Sequence, residues 1–453
     1  MSSNNHYDVI VCGGGPSGVA AAIAASRKGA RTLLIERYGC CGGMSTIALV
    51  NPWSGHEYCD PETKNEGSLI GGIFKEIATR LSILGGYGSA LTPNAFDEEL
   101  LKFVYDLFLQ ESSVKIRYHS YITSLQIVDR KIISIDVYSK EGSERFYAHH
   151  FIDCTGDGDI ASHAKIALKV GREPDGLTQA MTVSFRMGNV DKSDMIRTGN
   201  LREARSLVEP FFQKAINSGE LFYPYRTFVH FYDHPRQGIL HFNMTRINEV
   251  SGLSVEDLTF AEIEGRRQAN LLGKWLINTV PWFKDSFIEK IAIQVGVRET
   301  RHIIGLYIMT KEDILSARKF SDGIARSRYF IDIHNPKGAN DVQQIPGQRG
   351  AVDKAFAPPQ GDFYEIPYRS LLSYGCKNLI VACRALSATH EASAAIRVMA
   401  TMHGLGEAAG IAAAEAVRMN TSALNISGEW VRSQIPYLSE GPDFGEPWNI
   451  KSR

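Results

Sequence analysis

Three groups of residues in this chain have types and spacings that could do chemistry. Near the start, "DVIVCGGGPSGVAAAIAASRKGARTLLIER" (Asp8 to Arg37) sets Gly13, Gly15 and Gly18 at G-x-G-x-x-G spacing, with Pro16 and Ser17 among them and Glu36 further on. Bare backbone so spaced permits a tight turn at Gly13, close approach of a diphosphate at Gly15 and tight helix–strand packing at Gly18. Glu36, followed by Arg37, could accept the hydrogen bonds of a ribose. Much later, "RETRH" (298–302) is the densest polar cluster in an apolar stretch. Arg298 or Arg301 could clamp a carboxylate or carbonyl bidentately while His302 handles a proton. The plainer use of the same residues is an arginine–acid network holding two parts of the fold together. Finally, "ATHEA" (388–392) offers His390 and Glu391. An imidazole there could act as acid or base, or simply position a ligand by hydrogen bonding.

These groups need elements to hold them. Tyr7–Cys12 reads as a short buried strand, Ser17–Lys28 as a helix and Arg31–Ile35 as a second strand, a β-α-β unit. Its helix N-terminus offers free N–H groups and positive dipole character to a phosphate. Strand, glycine loop, helix and acid together predict a bound dinucleotide, and the same device would serve a nicotinamide or a flavin. A turn-rich stretch runs from Tyr38 to Gly72, and Phe96–Gln110 has helical periodicity. Val114–Tyr118, Ile122–Val128, Ile132–Tyr138 and Glu144–Ala148 read as a meander, and Phe151–Thr155 as a further strand entering "TGDGD".

From about Gly171 alternating stretches predict an antiparallel sheet, joined by a helix at Glu256–Thr279. A second alternating stretch, Ile291–Met309, places Arg298, Thr300 and His302 on one face and Glu299 and Arg301 on the other. Residues 332–363 lack periodicity, a length of loop that is usually functional or disordered. Asn378–Ala382 reads as a strand and Ala392–Arg418 as one long helix of small residues. The fold class expected is α/β: a Rossmann-like nucleotide-binding domain, with a parallel sheet, helices and a β-meander, plus a mainly antiparallel substrate domain. The boundaries expected are 1–170 and 332–425 for the first domain, 171–331 for the cap and 426–453 for a tail.

Composition narrows the classes. The chain has 453 residues and a formal net charge of −1 without a long basic block, so the electrostatic footprint of a nucleic-acid binder is missing. No basic leader opens the sequence and no apolar run of spanning length occurs, so a cytoplasmic protein without a membrane span is expected. Seven scattered cysteines form no C-x-x-C pair, which suits a reducing compartment and gives no metal spacing. His149, His150 and His334 also lack partners at ligand spacing and read as surface or turn residues, so no metal site is expected.

Four blocks carry a family resemblance: the stretch from Asp8, "GCCGGMST" (39–46), "FIDCTGDGDIASHA" (151–164) and "YEIPYRSLLSYGCKNLIVACRALSATHEASAAIRVMATMHGLGEAAG" (364–410). "VGVRETRHIIGLY" and "IDIHNPKG" support them. Jointly the chain resembles the FAD-dependent oxidoreductases of the glutathione-reductase-like superfamily, nearest the subgroup related to fumarate reductase flavoproteins. The resemblance implies FAD as cofactor, contacted by Gly13, Gly15, Pro16, Ser17, Gly18, Glu36 and Arg37. It further implies contacts from Gly42, Gly43, Met44, Ser45, Thr155, Gly156, Asp157, Arg384, Glu391 and Ala394. Asp157 or Asp159 has a second use, capping the next helix. In the resembled family the helix after "SATHEA" points its N-terminus at the flavin pyrimidine. Cys154, Cys383, Ala385 and Glu407 depart from the pattern expected there, and nothing in the sequence explains Glu407.

The activity expected is hydride transfer between flavin N5 and a small organic substrate, with His390, Arg298, Arg301 and His302 as catalytic candidates. No second glycine loop follows a strand, so an external electron donor or acceptor is expected rather than a built-in pyridine-nucleotide domain. Homo-oligomerisation is left open, as is covalent flavin attachment at Cys40 or Cys41. A flavin monooxygenase or halogenase is the alternative, although Trp275 and Trp282 form no W-x-W pair. A non-catalytic FAD-containing binding protein is the third reading.

Overall fold

The computed structural model describes residues 5–223, 225–337 and 356–448. Most of the long segment expected to be a loop, residues 338–355, lies outside them. The frame is a seven-stranded sheet. His6–Cys12 runs parallel to Thr32–Ile35 on one side and to the end of Gly142–Asp153 on the other, and Lys115–Arg117 extends the parallel run. Val9 to Cys12 are fully buried, as strands covered on both faces require. Pro16–Arg27 is the crossover helix, with proline at its first turn and burial from Pro16 to Ala25.

Gly142–Asp153 is one strand of 12 residues where the sequence suggests two. The break expected at the paired histidines does not occur, because His150 is buried and its Nε2 lies 3.0 Å from the Thr421 carbonyl. The start of the strand pairs antiparallel with Lys131–Ser139, and its end pairs parallel with His6–Cys12 and Leu379–Val381. A single strand thus joins the meander to the parallel sheet, and it delivers "TGDGD" beside the glycine loop. Lys115–Arg117 belongs to the parallel sheet and not to the meander.

A second, four-stranded antiparallel sheet follows the order Phe231–Asp233, Leu240–Phe242, Phe185–Gly188, Phe287–Ile291. The helix Val255–Thr279 packs with it; the Ser254 hydroxyl caps that helix by accepting from the Asp257 N–H at 3.2 Å. The alternating strand expected over Ile291–Met309 is broken up: beyond Ile291, Gly296 and Met309 form isolated bridges to Thr182 and Ala388, and Arg301–Ile303 is a short strand antiparallel to Leu168–Val170. The face assignment for "RETRH" therefore fails.

The long C-terminal helix is also two, His390–Ile396 and Met399–Arg418, separated where Val398 adopts extended geometry (φ −69°, ψ 143°). The second packs on Pro16–Arg27 so closely that a Cβ at Gly410 would meet the Ala21 carbonyl oxygen at 2.3 Å. Beyond it, the segment expected to be a tail contains the helix Gly428–Ser433 and buries Ile435 and Leu438 in the main core. Among the described residues no helix is long and apolar enough to cross a membrane.

Candidate functional site

A cleft of about 540 Å³ opens between the parallel sheet and the cap sheet. One end is built by the glycine loop. Gly13 adopts φ +100°, and a Cβ there would stand 2.5 Å from the Cys154 carbonyl oxygen, so the turn itself demands glycine. Gly18 is a packing glycine and does not line the cleft: a Cβ would fall 1.9 Å from the Gly13 oxygen. Gly15 differs from both. Its φ is −65°, and a Cβ would meet nothing within 4 Å, so its missing side chain leaves open cleft at the N-terminus of a buried helix. That is the cradle a diphosphate requires.

Glu36 stands across from it, 6% exposed. Its carboxylate accepts from the Gly14 N–H at 2.6 Å and the Tyr38 N–H at 2.9 Å. Burial raises its pKa, and these backbone donors oppose that shift. The remaining lone pairs can still take ribose hydroxyls. Pro16, Ser17, Arg37, Gly43 and Met44 also line this end; Gly42 and Ser45 do not. Gly42 (φ +113°) and Ser45 instead shape the turn, Ser45 donating to the Gly42 carbonyl at 2.7 Å. Cys40 and Cys41 are outside the lining, and burial raises both thiol pKa values.

The middle of the cleft is walled by Cys154, Thr155, Gly156, Asp157, Cys383 and Arg384. Asp153 organises this turn: it accepts from the Thr155 N–H at 3.0 Å and hydroxyl at 2.7 Å, and from the Ala161 N–H at 2.9 Å. Burial lifts its pKa to about 6 against those bonds. Neither aspartate caps the helix Asp159–His163, whose N-cap is Gly158. Asp157 is held instead by the Arg384 guanidinium and by the Thr300 hydroxyl at 2.7 Å, while Arg301 pairs with Asp159 at 2.9 Å. For Arg301 the bridging role is therefore the observed one, with aspartate as the acid; it lines the cleft as it does so.

The other "RETRH" residues separate. Arg298 lines the cleft, 8% exposed, donating to the Ala180 carbonyl and to the Thr182 hydroxyl at 2.8 Å. Glu299 turns inward, where it accepts from the Gln179 N–H at 3.1 Å and joins His390 Nδ1 at 2.8 Å and His302 Nε2 at 3.3 Å. Burial pushes the Glu299 pKa up, but the two histidines outweigh it and hold the carboxyl at about 2. His302 and His390 are themselves buried and do not line the cleft. Sequence spacing brought no sign that these two histidines share one acid.

Glu391 and Ala394 also lie outside the lining, because the helix that reaches the cleft is the second one. Arg397, Val398, Met399 and Met402 present its N-terminal end to the cavity. The cap side adds Tyr232, Tyr329, Asp332 and His334. These were missed as site residues, although "IDIHNPKG" contains two of them. His334 is half-buried, not superficial, with Nε2 3.3 Å from the Asp332 carboxylate. Among the described residues no group of three or more His, Cys, Asp or Glu could hold a metal.

A parallel sheet entering a buried helix through a bare glycine cradle, with an acid opposite, defines an α/β dinucleotide-binding enzyme. The chain belongs to the FAD dependent oxidoreductase family, whose model matches residues 8–435, so the dinucleotide is FAD. Solved structures with a similar fold include a geranylgeranyl bacteriochlorophyll reductase-like protein from Thermoplasma acidophilum: 13% identity, 99% of this chain and 94% of that one covered, TM-score 0.44. A triple mutant of the flavin-dependent brominase Bmp2 matches at 12% identity over 96% of this chain and 85% of that one, TM-score 0.44. The p-nitrophenol 4-monooxygenase PnpA from Pseudomonas putida matches at 12% over 67% and 71%, TM-score 0.39. No curated protein matched.

Proposed function

We propose that this enzyme moves a hydride between FAD and a small organic substrate that enters beneath the cap sheet. The observation carrying this reading is that one cleft runs from Glu36 and the glycine loop to Arg298 and Tyr329 on the cap side. When bound, FAD supplies the two-electron chemistry, and the protein supplies binding, orientation and electrostatics. The backbone from Gly13 to Ser17, with Gly43 and Met44, would take the diphosphate, and Glu36 the ribose. Thr155 to Asp157, Arg384 and the turn at Val398–Met402 would line the far half. The free N–H groups at the start of Met399–Arg418 favour negative charge there.

On the substrate side Arg298 reaches the cavity, beside Arg397, Tyr232, Tyr329, Asp332 and His334. His302 and His390 act as positioning residues: through Glu299 they fix the turn from which Arg298 projects. Val50, Val297 and Met402 line the cleft and exclude water. Sequence blocks spread over the chain support kinship with fumarate reductase flavoproteins, and with no second glycine loop, electrons would arrive from substrate or an external partner. Anaerobic mixing of flavin-loaded protein with pools of oxidisable compounds, and of photoreduced protein with acceptors, tests this. Loss or return of the flavin's visible absorbance supports the reading. In a parallel run in which photoreduced protein meets O2 and substrate, incorporation of an atom of that O2 into product would assign a monooxygenase, and a flavin inert in both directions would assign a binding protein.

A further inference from the structure

Among the described residues, the cap end of the cleft holds an excess of buried positive charge. Arg298 and Arg397 line it. Arg397 donates to the Gln179 side-chain oxygen at 3.3 Å and the Asp332 carbonyl at 3.2 Å, reaches the Asp332 carboxylate only at 3.9 Å, and its buried Nε has no partner among the described residues. Arg246 spends its guanidinium on His334, a neutral group whose pKa burial and Arg298 press well below the ordinary range. Arg226 is 8% exposed, has no hydrogen bond or ion pair among the described residues, and rests against the Phe228 ring with its Nε unpartnered. Its field acts on Tyr232 and Asp332, both in the cleft wall. Among the described residues, four guanidinium groups thus face one carboxylate, Asp332, which also serves Tyr329 and His334.

Buried like charges without counter-charges are costly, and a fold retains them where a ligand supplies what is missing. Burial and Arg397 already bring the Arg298 pKa down to about 9, a sign of how poorly its charge is compensated. We infer that this end of the cleft binds a small organic anion with two or more acidic groups, carboxylate or phosphate ester, held by Arg298 and Arg397 and backed by Arg226 and Arg246. This rests on the substrate site proposed above and names the class of compound it takes. Planar guanidinium groups fit carboxylate and phosphate oxygens in pairs, which a neutral substrate would leave unmet.

The test uses flavin-loaded protein titrated with malonate, citrate and inorganic phosphate at constant ionic strength, with malonamide as the neutral control. Flavin absorbance and the thermal midpoint are both read. Saturable spectral change and a raised midpoint with the anions, and neither with malonamide, are expected. Carboxylates acting without phosphate point to an organic acid, the reverse to a phosphate ester. Arg298→Gln should weaken anion binding tenfold or more, and Arg298→Lys less. Arg226→Met should weaken it too while raising the midpoint of anion-free protein, because an unpaired buried charge is removed; far-UV circular dichroism checks that each variant is folded. Anions indistinguishable from malonamide, or Arg226→Met lowering anion-free stability with binding unchanged, would overturn the inference. Protein that takes up no flavin would defeat the proposed function instead, and its midpoint titration would still report on the arginines.

Discussion

Gly406 faces the backbone of Ser17 so closely that a Cβ on Gly406 would stand 2.0 Å from the Ser17 carbonyl oxygen. Ser17 lies in the first turn of the helix that follows the glycine loop, and Gly406 lies on the helix whose N-terminal end reaches the far half of the cleft. Contact between the two helices therefore sets the distance between the two ends of the cleft. Gly406 and Gly410 on Met399–Arg418 both serve this crossing.

Gly406→Ala should therefore cost at least about 2 kcal/mol, since backbone and not a flexible side chain must give way. Thermal or urea unfolding measures it. Flavin retention should fall as well, and full retention at unchanged stability would contradict the role assigned to the crossing.

Gly13→Ala and Gly15→Ala should behave oppositely. At Gly13 the positive φ and the Cys154 oxygen make any side chain strained, and the fold should suffer. At Gly15 the backbone is ordinary and the space open, so unfolding should change by less than about 0.5 kcal/mol. FAD affinity should nevertheless drop tenfold or more, read by fluorescence titration of the apoprotein.

Glu299→Gln removes the acid shared by His302 and His390. At neutral pH the loss should be roughly 1–3 kcal/mol. The folded pKa of about 2 lies below the ordinary value of 4.5, so the carboxylate's contribution is present above pH 4.5 and fades as pH falls towards 2. Wild type and variant should converge in stability across that window, followed by denaturant titration at stepped pH.

Glu407, unexplained in the sequence, accepts from the Ile73 N–H at 3.3 Å at the start of the helix Gly72–Ile83. A helix N-terminus favours such a carboxylate, yet burial raises its pKa to about 7. The sign follows: the folded value exceeds 4.5, so the stability it confers is full below pH 4.5 and declines as pH rises through 7. Glu407→Gln should match wild type near pH 4.5 and exceed it above pH 7 by roughly 1–2 kcal/mol. A midpoint difference independent of pH would refute this.

The β-α-β unit, the glycine cradle and Glu36 were legible in the sequence because each is written in local spacing. Periodicity reports a backbone, and a glycine at a fixed offset reports a turn. The same reading failed where local signals conflicted with distant contacts. His149–His150 suggested a strand break that Thr421 repairs, and the alternation around Arg298 suggested one continuous strand where the structure forms an isolated bridge, Gly296 to Thr182, and a three-residue strand, Arg301–Ile303.

By itself, then, the sequence determined the fold class, the FAD-dependent oxidoreductase family and the glycine loop that builds one end of the cleft. Tertiary structure alone decided that Met399–Arg418, and not His390–Ile396, reaches the cleft, that two histidines share Glu299, and that arginines from positions 226, 246, 298 and 397 converge. The physical reason is range. A turn or helix is fixed by neighbours a few residues apart, whereas which buried charges meet depends on how separate sheets and helices pack, and no spacing along the chain records that.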